Sequence, residues 1–573
     1  MKFSEFATYL EKLEKTSSRN EITQILADLF KKTSQKEIDK VVYLVSGQLA
    51  PSYIGIDFNI AEKLMLRIIA KAFGQKLETV ADQFKKMGDL GIVAEGYAYG
   101  KDGGASVLDV YQTLFEMAGQ EGGGSQERKI TQTAELLSSL DSLSVRFITR
   151  IPTGNLRLGF SDMTILDALS YMETGDKSLR SRIEAAFNVT VDIGKIAKAV
   201  KQKGTFVLKD VLPEPGTPIR PSLAERLPSA EKILEKVGSK VIVEPKYDGF
   251  RAQVHIYKLK TQNSKLKTEV VIFSRNLENT TNMFPDIVEA VKKIKVGSAI
   301  FDGEAIAYDA KSGKFLPFQE TAQRKRKYGI PEAIKNLPLK LFIFDILYKD
   351  GKNLLPLPFS ERRKILESTV FKIDGVEIIR QEVTGDAKVI RDLIQKYLAE
   401  GLEGALIKKI DAPYKAGARG YHWVKYKKTT GAGVADTIDC LVMGVNRGKG
   451  KRVGFGVGAF LVGVKDGNKF KTTSKIGTGL TDEQWRELDK RSKYLEVSNM
   501  PGEYEVDKNL VPDAWTKPSL VVEILADEIT VSPIHTAGLA LRFPRLINFR
   551  NEKNPDQTTT LRELEGLFKM QKI

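Results

Sequence analysis

Apolar positions along the first 210 residues recur at intervals of three and four, with polar residues between them. This spacing places the apolar side chains on one face of an α-helix. The clearest runs are Phe3, Phe6, Leu10 and Leu13, followed by Ile22, Ile25, Leu26, Leu29 and Phe30. Only Pro51 and Pro152 interrupt the region, and the glycine-rich stretches 101–106 and 119–126 are typical of surface loops. The pattern predicts an all-α domain over residues 1–210.

The pattern changes abruptly at residues 211–228, which contain five prolines. Proline fixes φ and removes a backbone donor, so this segment is predicted to be extended. Beyond it, runs of β-branched and aromatic residues end at Gly, Asp or Asn, as strands bounded by turns do. Helical periodicity returns at residues 283–295 and 386–400. Residues 211–428 are therefore predicted to form an α+β domain with antiparallel sheets.

A second change falls near residues 427–437, after which short apolar strands alternate with glycine-containing turns. About five such strands in about 140 residues are typical of a small β-barrel of the OB type. Residues 429–573 are therefore predicted to form a C-terminal OB-fold domain. A length of 573 residues agrees with a multidomain protein of three domains.

Charge and cysteine content narrow the classes of partner and metal. The chain carries 89 basic and 73 acidic residues, a formal net charge of +16. This excess favours a polyanionic partner, although many basic proteins bind no nucleic acid. The single cysteine, Cys440, cannot form an internal disulfide or a four-cysteine zinc site, and three histidines argue against a histidine zinc cluster. A catalytic metal is therefore expected to be a hard cation with oxygen ligands.

The chain shows no signal for a membrane or for export. No stretch approaches the roughly 20 apolar residues that a membrane span needs. The N-terminus mixes acids and bases and lacks the apolar region of a signal peptide. We therefore expect no membrane partner and a place in the cytoplasm or nucleoid.

Residues 244–251, EPKYDGFR, end an apolar run with a lysine that Asp-Gly follows directly. Taken alone, Lys246 is most simply a solvated side chain at a strand end, because Asp-Gly turns are common. Further short motifs follow in order: FSRN at 273–276, FDGE at 301–304, LFIFDIL at 341–347, EGLEG at 400–404, WVKYK at 423–427 and LRFPR at 541–545. Together with KxDGxR, this series resembles the covalent nucleotidyltransferase superfamily of DNA ligases, RNA ligases and mRNA capping enzymes.

The resemblance extends over nearly the whole chain. Segments outside the central motifs that are similar to ATP-dependent DNA ligases of the archaeal and eukaryotic type are 49–72, 147–170, 216–227 and 550–560. The sequence departs from the family pattern at the insert 258–269, which lengthens the spacing between Lys246 and Arg275. The resemblance implies an archaeal-type cell and a monomeric enzyme.

The resemblance implies that Lys246 becomes adenylylated by ATP. The attacking amine must be neutral, and cationic surroundings with partial desolvation lower the pKa of a lysine from about 10.4. The residues implied to bind the nucleotide are Glu244, Arg251, Arg275, Glu304, Phe344, Arg419, Lys425, Lys427 and Arg542. The implied metal ligands are Glu304 and Glu403, for Mg²⁺ with Mn²⁺ as a substitute, because both cations accept oxygen ligands.

Five of these residues also have a structural interpretation. Glu304 and Glu403 are otherwise surface acids at strand ends, and Glu304 alternatively binds ribose. Phe344 either stacks on adenine or packs in the core of its apolar run. Glu244 and Arg251 either hold the adenosine or form an ordinary ion pair beside a turn.

The implied function is the sealing of nicks in duplex DNA, in replication, repair and recombination. AMP passes from the lysine to the 5′-phosphate at the nick, and the 3′-hydroxyl then displaces it. Arg542 and Arg545 are implied to approach the β- and γ-phosphates of ATP, so the last domain must move between steps. The junction around Gly431 and Gly433 is a candidate hinge, and a sliding clamp is a candidate partner.

Four other functions share part of this pattern. An NAD-dependent ligase would need a four-cysteine zinc module, which one cysteine excludes. A capping enzyme usually lacks a large helical domain, and labelling with GTP would identify it. An RNA ligase is the nearest alternative, and sealing of nicked RNA would distinguish it. A DNA-binding module with a degenerate pocket is disfavoured by the intact lysine and glutamates.

Basic clusters provide candidate contacts for DNA phosphates. The clusters are residues 324–327 and 447–452, together with Arg150, Arg157, Arg180 and Arg182 of the helical region. Solvated loops are the usual explanation of such runs. In a chain that resembles a DNA ligase, phosphate contact becomes the favoured interpretation.

Overall fold

The structure is a computed structural model, and it describes residues 1–99, 104–154, 156–260, 266–316, 318–326, 329–427, 437–448 and 454–570. The chain divides into two compact units, Met1–Lys427 and Lys428–Ile573. Across the described ranges, no helix is long and apolar enough to cross a lipid bilayer.

The first part of the larger unit is built from helices, as the apolar periodicity predicts. They are α1 (Phe3–Glu14), α2 (Arg19–Lys32), α3 (Ile38–Val45), α4 (Glu62–Ala72), α5 (Leu77–Met87), α6 (Leu90–Tyr97), α7 (Val107–Ala118), α8 (Ser125–Ser138), α9 (Ser142–Arg150), α10 (Asp162–Thr174), α11 (Arg180–Thr190) and α12 (Ile193–Lys203). One apolar core, with members from Phe3 to Leu208, packs them together. Residues 119–124 form the predicted loop between α7 and α8, whereas the stretch 101–106 lies partly outside the described residues.

The second part of the larger unit mixes strands and helices, which confirms the predicted α+β class. Its strands are β1 (Leu223–Arg226), β2 (Val241–Lys246), β3 (Phe250–Lys260), β4 (Leu266–Phe273), β5 (Ala299–Ala307), β6 (Leu339–Lys349), β7 (Lys352–Asn353), β8 (Val376–Ile378), β9 (Glu382–Thr384), β10 (Gly404–Lys409) and β11 (Arg419–Lys427). Its helices are α13 (Ala230–Val237), α14 (Pro285–Val291), α15 (Phe318–Thr321), α16 (Ile330–Asn336), α17 (Phe359–Thr369) and α18 (Ala387–Ala399). α14 and α18 are the two helices that the sequence predicts here.

Two sheets organise this part. The first has the strand order β1-β11-β10-β2-β9, in which β10 runs antiparallel to both β2 and β11. The second has the order β4-β3-β5-β6-β7, with β8 parallel to β6. One apolar core contains residues of both sheets, and another consists of residues from the second sheet and the segments packed against it. Paired residues on neighbouring strands share a face, so the register decides which side chains meet.

The proline-rich segment 211–228, called the lead-in below, is extended, as predicted. Hydrogen bonds attach it to β3 of the second sheet. The backbone N–H of Gly216 donates to His255 Nδ1 at 3.1 Å. Gln253 makes two bonds to Ile219, accepting from its N–H at 2.7 Å and donating to its carbonyl at 3.0 Å. These bonds satisfy backbone groups that proline-rich sequence cannot pair in a regular element.

The smaller unit is a β domain of the OB type, which confirms the predicted class. Its strands are β12 (Ile438–Arg447), β13 (Val457–Asp466), β14 (Lys469–Ile476), β15 (Glu496–Val497), β16 (Tyr504–Glu505), β17 (Ala514–Thr516), β18 (Val521–Leu525), β19 (Glu528–Val531), β20 (Leu539–Arg542) and β21 (Arg545–Phe549). The main sheet has the order β15-β17-β12-β13-β14-β16, and β18 joins it between β12 and β21. Two helices that the sequence did not predict, α19 (Asp482–Tyr494) and α20 (Leu561–Met570), pack against the same core.

Candidate active site

Lys246 is the last residue of β2. At this end of the first sheet, three residues on the neighbouring strands β2, β10 and β11 lie side by side in a row. Lys246 lies opposite Gly404 on β10, and Gly404 lies opposite Lys427 on β11. Gly404 has φ +136°, and a Cβ there would lie 2.4 Å from the carbonyl oxygen of Tyr426. Only glycine fits this position, and its missing side chain leaves Lys246 and Lys427 on one face without an intervening group.

Glu403 joins the two lysines of this row. Its carboxylate forms ion pairs with Lys246 and with Lys427. Its backbone N–H also donates to the carbonyl of Lys246 at 3.0 Å, which fixes the two residues next to each other. A carboxylate shared by two ammonium groups can exchange one of them for another cation.

The surroundings of Lys246 shift its pKa downward. Burial lowers the pKa of Lys246 below that of a free lysine. The carboxylates of Glu304 and Asp248 raise this pKa, whereas the guanidinium groups of Arg275 and Arg251 lower it. The lowered pKa makes Lys246 a better nucleophile than an exposed lysine at neutral pH.

Glu304 lies on β5 in the second sheet, opposite Arg251 on β3 and Phe342 on β6. Burial raises the pKa of Glu304 to about 7, and the charges of Lys246 and Arg251 act against this rise. Glu403 thus pairs with Lys246, and the charge of Glu304, on the second sheet, raises the pKa of Lys246. The described residues contain no group of three or more His, Cys, Asp or Glu arranged as a metal site, so a metal here would have two protein carboxylates and ligands from the substrate or water.

Glu244 is fully buried two residues before Lys246 and faces Lys408 of β10. The carboxylate lies 2.7 Å from Lys408 Nζ, and both side chains have no exposed surface. Lys408 also donates to the carbonyl of Phe344 at 3.1 Å. Apart from this ion pair, neither oxygen of Glu244 has a hydrogen bond among the residues described. A buried oxygen without a hydrogen bond suits a ligand that donates an N–H, as the amino group of adenine does.

Arg251 does not pair with Glu244, so the ion pair proposed as their structural interpretation is wrong. The guanidinium of Arg251 binds Asp302 through two hydrogen bonds, of 2.9 and 2.5 Å. It also lies 5.4 Å from the ring centroid of Phe344 and 5.6 Å from that of Trp423. The physical reason is that Asp302, one strand away on β5, offers a bidentate carboxylate.

Phe344 and Trp423 form an aromatic corner beside Glu244. Their ring centroids lie 5.8 Å apart with an interplanar angle of 82°. Phe344 is 6% exposed, so it contributes to the core and also borders the buried polar pair. Both interpretations of Phe344 therefore remain compatible with its position.

Arg275 follows the end of the β3–β4 hairpin that the insert does not lengthen. Gln253 pairs with Phe273 at one end of the β3–β4 hairpin, and Lys260 pairs with Leu266 at the other. The insert lengthens this second end, whereas Arg275 follows the first. Its charge lowers the pKa of Lys246.

Further cations surround Lys425 on β11. Burial lowers the pKa of Lys425, and the charges of Arg419, Lys246 and Arg275 lower it further. Lys425 is opposite Leu406 on β10, two residues along β11 from Lys427. Of the predicted cations of the larger unit, Lys427 shares the Glu403 carboxylate with Lys246, and the charges of Arg275 and Arg251 lower the pKa of Lys246.

Arg542 and Arg545 are described within the smaller unit. Arg542 ends β20 and lies 3.7 Å from Glu528 on the paired strand β19. Arg545 begins β21 and lies 2.5 Å from Asp527. Both side chains keep exposed surface, 28% and 46% respectively.

Two predicted phosphate contacts are wrong because the residues are buried. Arg324 has no exposed surface and pairs with Asp286 at 2.7 Å. Arg150 is 2% exposed and pairs with Asp89 at 2.7 Å. Both arginines join helices or loops inside the larger unit, and neither can reach a DNA backbone.

Other members of the basic clusters remain candidates. Arg180 is partly buried against Asp167 at 2.9 Å, whereas Arg157, Arg182 and Arg447 are exposed. Lys327 and residues 449–452 lie outside the described residues, as do the candidate hinge glycines Gly431 and Gly433.

Residues that the sequence did not single out complete the site. Lys408 is a charged residue in the apolar run of β10, and this contrast could have identified it as a candidate site residue from the sequence. Asp302 lies within the FDGE motif, and Tyr414 follows a turn with no periodicity to mark it. The hydroxyl of Tyr414 donates to Asp302 Oδ2 at 2.8 Å.

The two sheets, together with the face that carries Lys246 and Lys427, define a nucleotidyltransferase domain within a larger protein. Three family models match the chain: "DNA ligase N terminus" over residues 2–170, "ATP dependent DNA ligase domain" over 221–427 and "ATP dependent DNA ligase C terminal region" over 454–553. The chain is 43% identical to a "Probable DNA ligase" of Dictyoglomus turgidum and 41% identical to "DNA ligase 2" of Thermofilum pendens. Each alignment covers 100% of this chain and 98% of the relative.

The chain belongs to the ATP-dependent DNA ligase family. This membership confirms the resemblance to DNA ligases and disfavours the RNA ligase alternative. The general function of the family is nick sealing through an adenylate intermediate. The solved structure named "Pmar-Lig_PreS3" shares the fold with a TM-score of 0.54 at 17% identity, covering 95% of this chain and 99% of that one.

Proposed function

We propose that Lys246 is the residue that carries AMP. Its Nζ attacks the α-phosphate of ATP, an N–P bond forms, the bond to pyrophosphate breaks, and the nitrogen loses a proton to water. The observation that carries this proposal is the position of Lys246 on one face with Lys427 and Glu403, with a pKa lowered by burial. Cations around the lysine would stabilise the negative charge that develops on the phosphate.

The later steps use the same face. AMP passes from Lys246 to the 5′-phosphate at a nick, forming a 5′–5′ pyrophosphate link. The 3′-hydroxyl then attacks that phosphate, the phosphodiester bond forms, and AMP leaves. Arg275, Arg419, Lys425 and Lys427 supply positive charge to the phosphates in these steps.

The adenosine is proposed to lie between Lys246 and the buried pair of Glu244 and Lys408. Glu244 has carboxylate oxygens available to accept from the adenine amino group. Phe344 offers an aromatic surface at the same place, and Arg251 lies beside it at 5.4 Å. An apolar slot with a few fixed polar groups is the usual form of a nucleotide site.

Mg²⁺ is proposed to bind between Glu304 and Glu403, and Mn²⁺ to replace it. The ion would neutralise phosphate charge and favour departure of pyrophosphate. Glu403 would then have to exchange its ion pair with Lys246 for the metal, which frees the amine. We expect Glu403→Gln to raise the Mg²⁺ concentration needed for half-maximal adenylation, whereas an unchanged Mg²⁺ requirement in both Glu403→Gln and Glu304→Gln would contradict the site.

The test of the central proposal is covalent labelling. The protein is incubated with α-³²P-ATP and Mg²⁺, denatured, and examined for label that remains on the chain. We expect label on the wild type and on Lys409→Ala, an exposed lysine of the same strand as Lys408, and none on Lys246→Ala. Equal labelling of Lys246→Ala and the wild type would refute the assignment.

The remaining features of the enzyme are proposals as well. We infer three domains, 1–210, 211–428 and 429–573, because the apolar cores of the described residues fall into these ranges. Nicked duplex DNA is the substrate that the family implies. We propose that the enzyme is a monomer, that it lies in the cytoplasm in association with the nucleoid, and that a sliding clamp recruits it. Sedimentation of the protein with and without nicked DNA tests the monomer.

A further inference from the structure

The hydroxyl group of Tyr414 lies where three separate segments of the larger unit meet. It donates to Asp302 Oδ2 at 2.8 Å. It accepts from the backbone N–H of Ser222 at 3.0 Å and from Arg251 Nη2 at 3.3 Å. Ser222 belongs to the lead-in, Arg251 to β3 and Asp302 to β5, so one oxygen connects all three.

The environment of this hydroxyl makes its hydrogen bonds strong. Tyr414 is 5% exposed and Asp302 has no exposed surface. A buried carboxylate must be fully hydrogen-bonded, and the hydroxyl supplies one of its partners. Burial and the charge of Asp302 raise the pKa of Tyr414, so the phenol keeps the proton that it donates.

The ring of Tyr414 is held in place independently of the hydroxyl. It packs edge-on against Trp423, with centroids 5.7 Å apart and an angle of 88°. Its backbone N–H donates to the carbonyl of Leu355 at 2.9 Å. Removal of the oxygen alone therefore leaves the ring in position and deletes only the polar junction.

Arg251 depends on this junction for its orientation. Arg251 donates to Asp302 from Nε and Nη2. Its remaining nitrogen, Nη1, donates to the carbonyl of Ser222 at 3.3 Å. Tyr414 contacts both of these partners, so it holds the guanidinium, its carboxylate and the lead-in in one arrangement. A long, flexible arginine side chain needs such support to keep a single geometry.

We propose that Tyr414 is a positioning residue that holds Arg251 toward the adenosine of ATP and thereby sets the affinity for the nucleotide. The inference rests on the proposed nucleotide site. Tyr414 touches neither the reacting lysine nor the phosphate, so it contributes to binding rather than to the chemical step. Its loss should therefore change KM for ATP and leave kcat of adenylation nearly unchanged.

The test compares Tyr414→Phe with the wild type in self-adenylation at increasing ATP concentrations. We expect KM for ATP to rise about five- to tenfold, the ratio that one buried hydrogen bond of ordinary strength supplies, with kcat within about twofold. Tyr504→Phe is the matched control, because its buried hydroxyl donates to the carbonyl of Thr516 at 2.8 Å in the smaller unit. That control should lose thermal stability without a change in KM.

A double variant decides whether Tyr414 acts through Arg251. If it does, Arg251→Lys combined with Tyr414→Phe should have the KM of Arg251→Lys alone. An unchanged KM in Tyr414→Phe, or additive effects in the double variant, would overturn the inference. A wild type that takes no label from ATP would instead refute the proposed function, so the two failures are distinguishable.

Discussion

At the scale of single residues, Glu244 and Lys408 form an ion pair from which water is excluded. Burial raises the pKa of Glu244 and lowers that of Lys408, and each partner's charge opposes the shift of the other. Removing one partner of such a pair leaves an uncompensated buried charge. We expect Lys408→Met to lower the free energy of unfolding by about 3–5 kcal/mol, measured by thermal or denaturant unfolding.

The control for this prediction removes both charges. Because an ion pair replaced by apolar residues of similar size is often neutral in stability, Lys408→Met combined with Glu244→Leu should recover most of the loss. Adenylation should not recover, since Glu244 is the proposed acceptor for adenine. A double variant less stable than Lys408→Met alone would contradict the pairing.

His255 predicts a dependence of stability on pH. Burial lowers the pKa of His255 to about 3, against about 6.5 in the unfolded chain. Between these values the unfolded state binds the extra proton. The stability that neutral His255 contributes is therefore complete above pH 6.5 and is lost as the pH falls toward 3, by at most about 1.4 kcal/mol per pH unit.

The matching variant is His255→Asn, whose side chain can still accept from Gly216 but does not titrate. Thermal unfolding of the wild type and the variant between pH 4 and 7 should show a shallower acid limb for the variant. Parallel curves would show that His255 does not account for the loss of stability in acid.

The residues of the site could be predicted from the sequence where they belong to a motif. They could not be predicted where contacts with residues distant in sequence determine whether a side chain is buried or exposed. Lys246, Glu403 and Arg275 lie in motifs, and the pairing of β2 with β10 brings the first two together. Arg324 and Arg150 carry the same charge as a DNA contact, but each is buried against an acid distant in sequence. Charge along the chain does not distinguish a buried ion pair from an exposed phosphate contact.

At the scale of elements, the β3–β4 hairpin explains why the insert leaves the site intact. Lys258 and Thr268 are paired in the register, so the residues between them can be replaced by a two-residue Asn-Gly turn. We expect self-adenylation of this shortened chain to stay within about twofold of the wild type, because surface changes far from the site cost little. Arg275→Ala in the same assay should be strongly impaired, and a comparable loss in the shortened chain would contradict this account.

Elements were predicted well where apolar side chains repeat densely. The strands around Lys246 have continuous apolar runs, and α14 and α18 have clear helical periodicity. Helix α19 was missed because only Trp485, Leu488 and Ser492 of its thirteen residues are buried. Three contacts to the core in a charged segment do not produce a recognisable period. The extended lead-in was predicted from its prolines, but its partners Gln253 and His255 were not, because they lie on a strand further along the chain.

At the scale of the whole molecule, the lead-in connects the helical part to the nucleotide site. The N–H of Arg220 donates to the carbonyl of Asn188 at 2.8 Å, and its guanidinium lies 4.6 Å from the ring centroid of Phe187. Two residues later, Ser222 contacts Tyr414. Composition changes sharply near residue 211, yet residues 1–427 form one compact unit, and these contacts cross the change in composition. Composition marks where the type of structure changes, and packing decides which parts hold together.

The smaller unit carries Arg542, for which the family resemblance implies a role at the β- and γ-phosphates. Those phosphates leave as pyrophosphate in the first step, so Arg542 should matter only until the lysine is adenylylated. We expect Arg542→Ala to slow self-adenylation about 100-fold, the usual cost of losing one charge-stabilising donor. Sealing of a nick supplied already adenylylated should change less than about threefold, and the exposed Arg562→Ala should behave as the wild type in both assays. Equal losses in the two assays would mean that Arg542 supports folding or DNA binding, and its assignment to ATP would then fail.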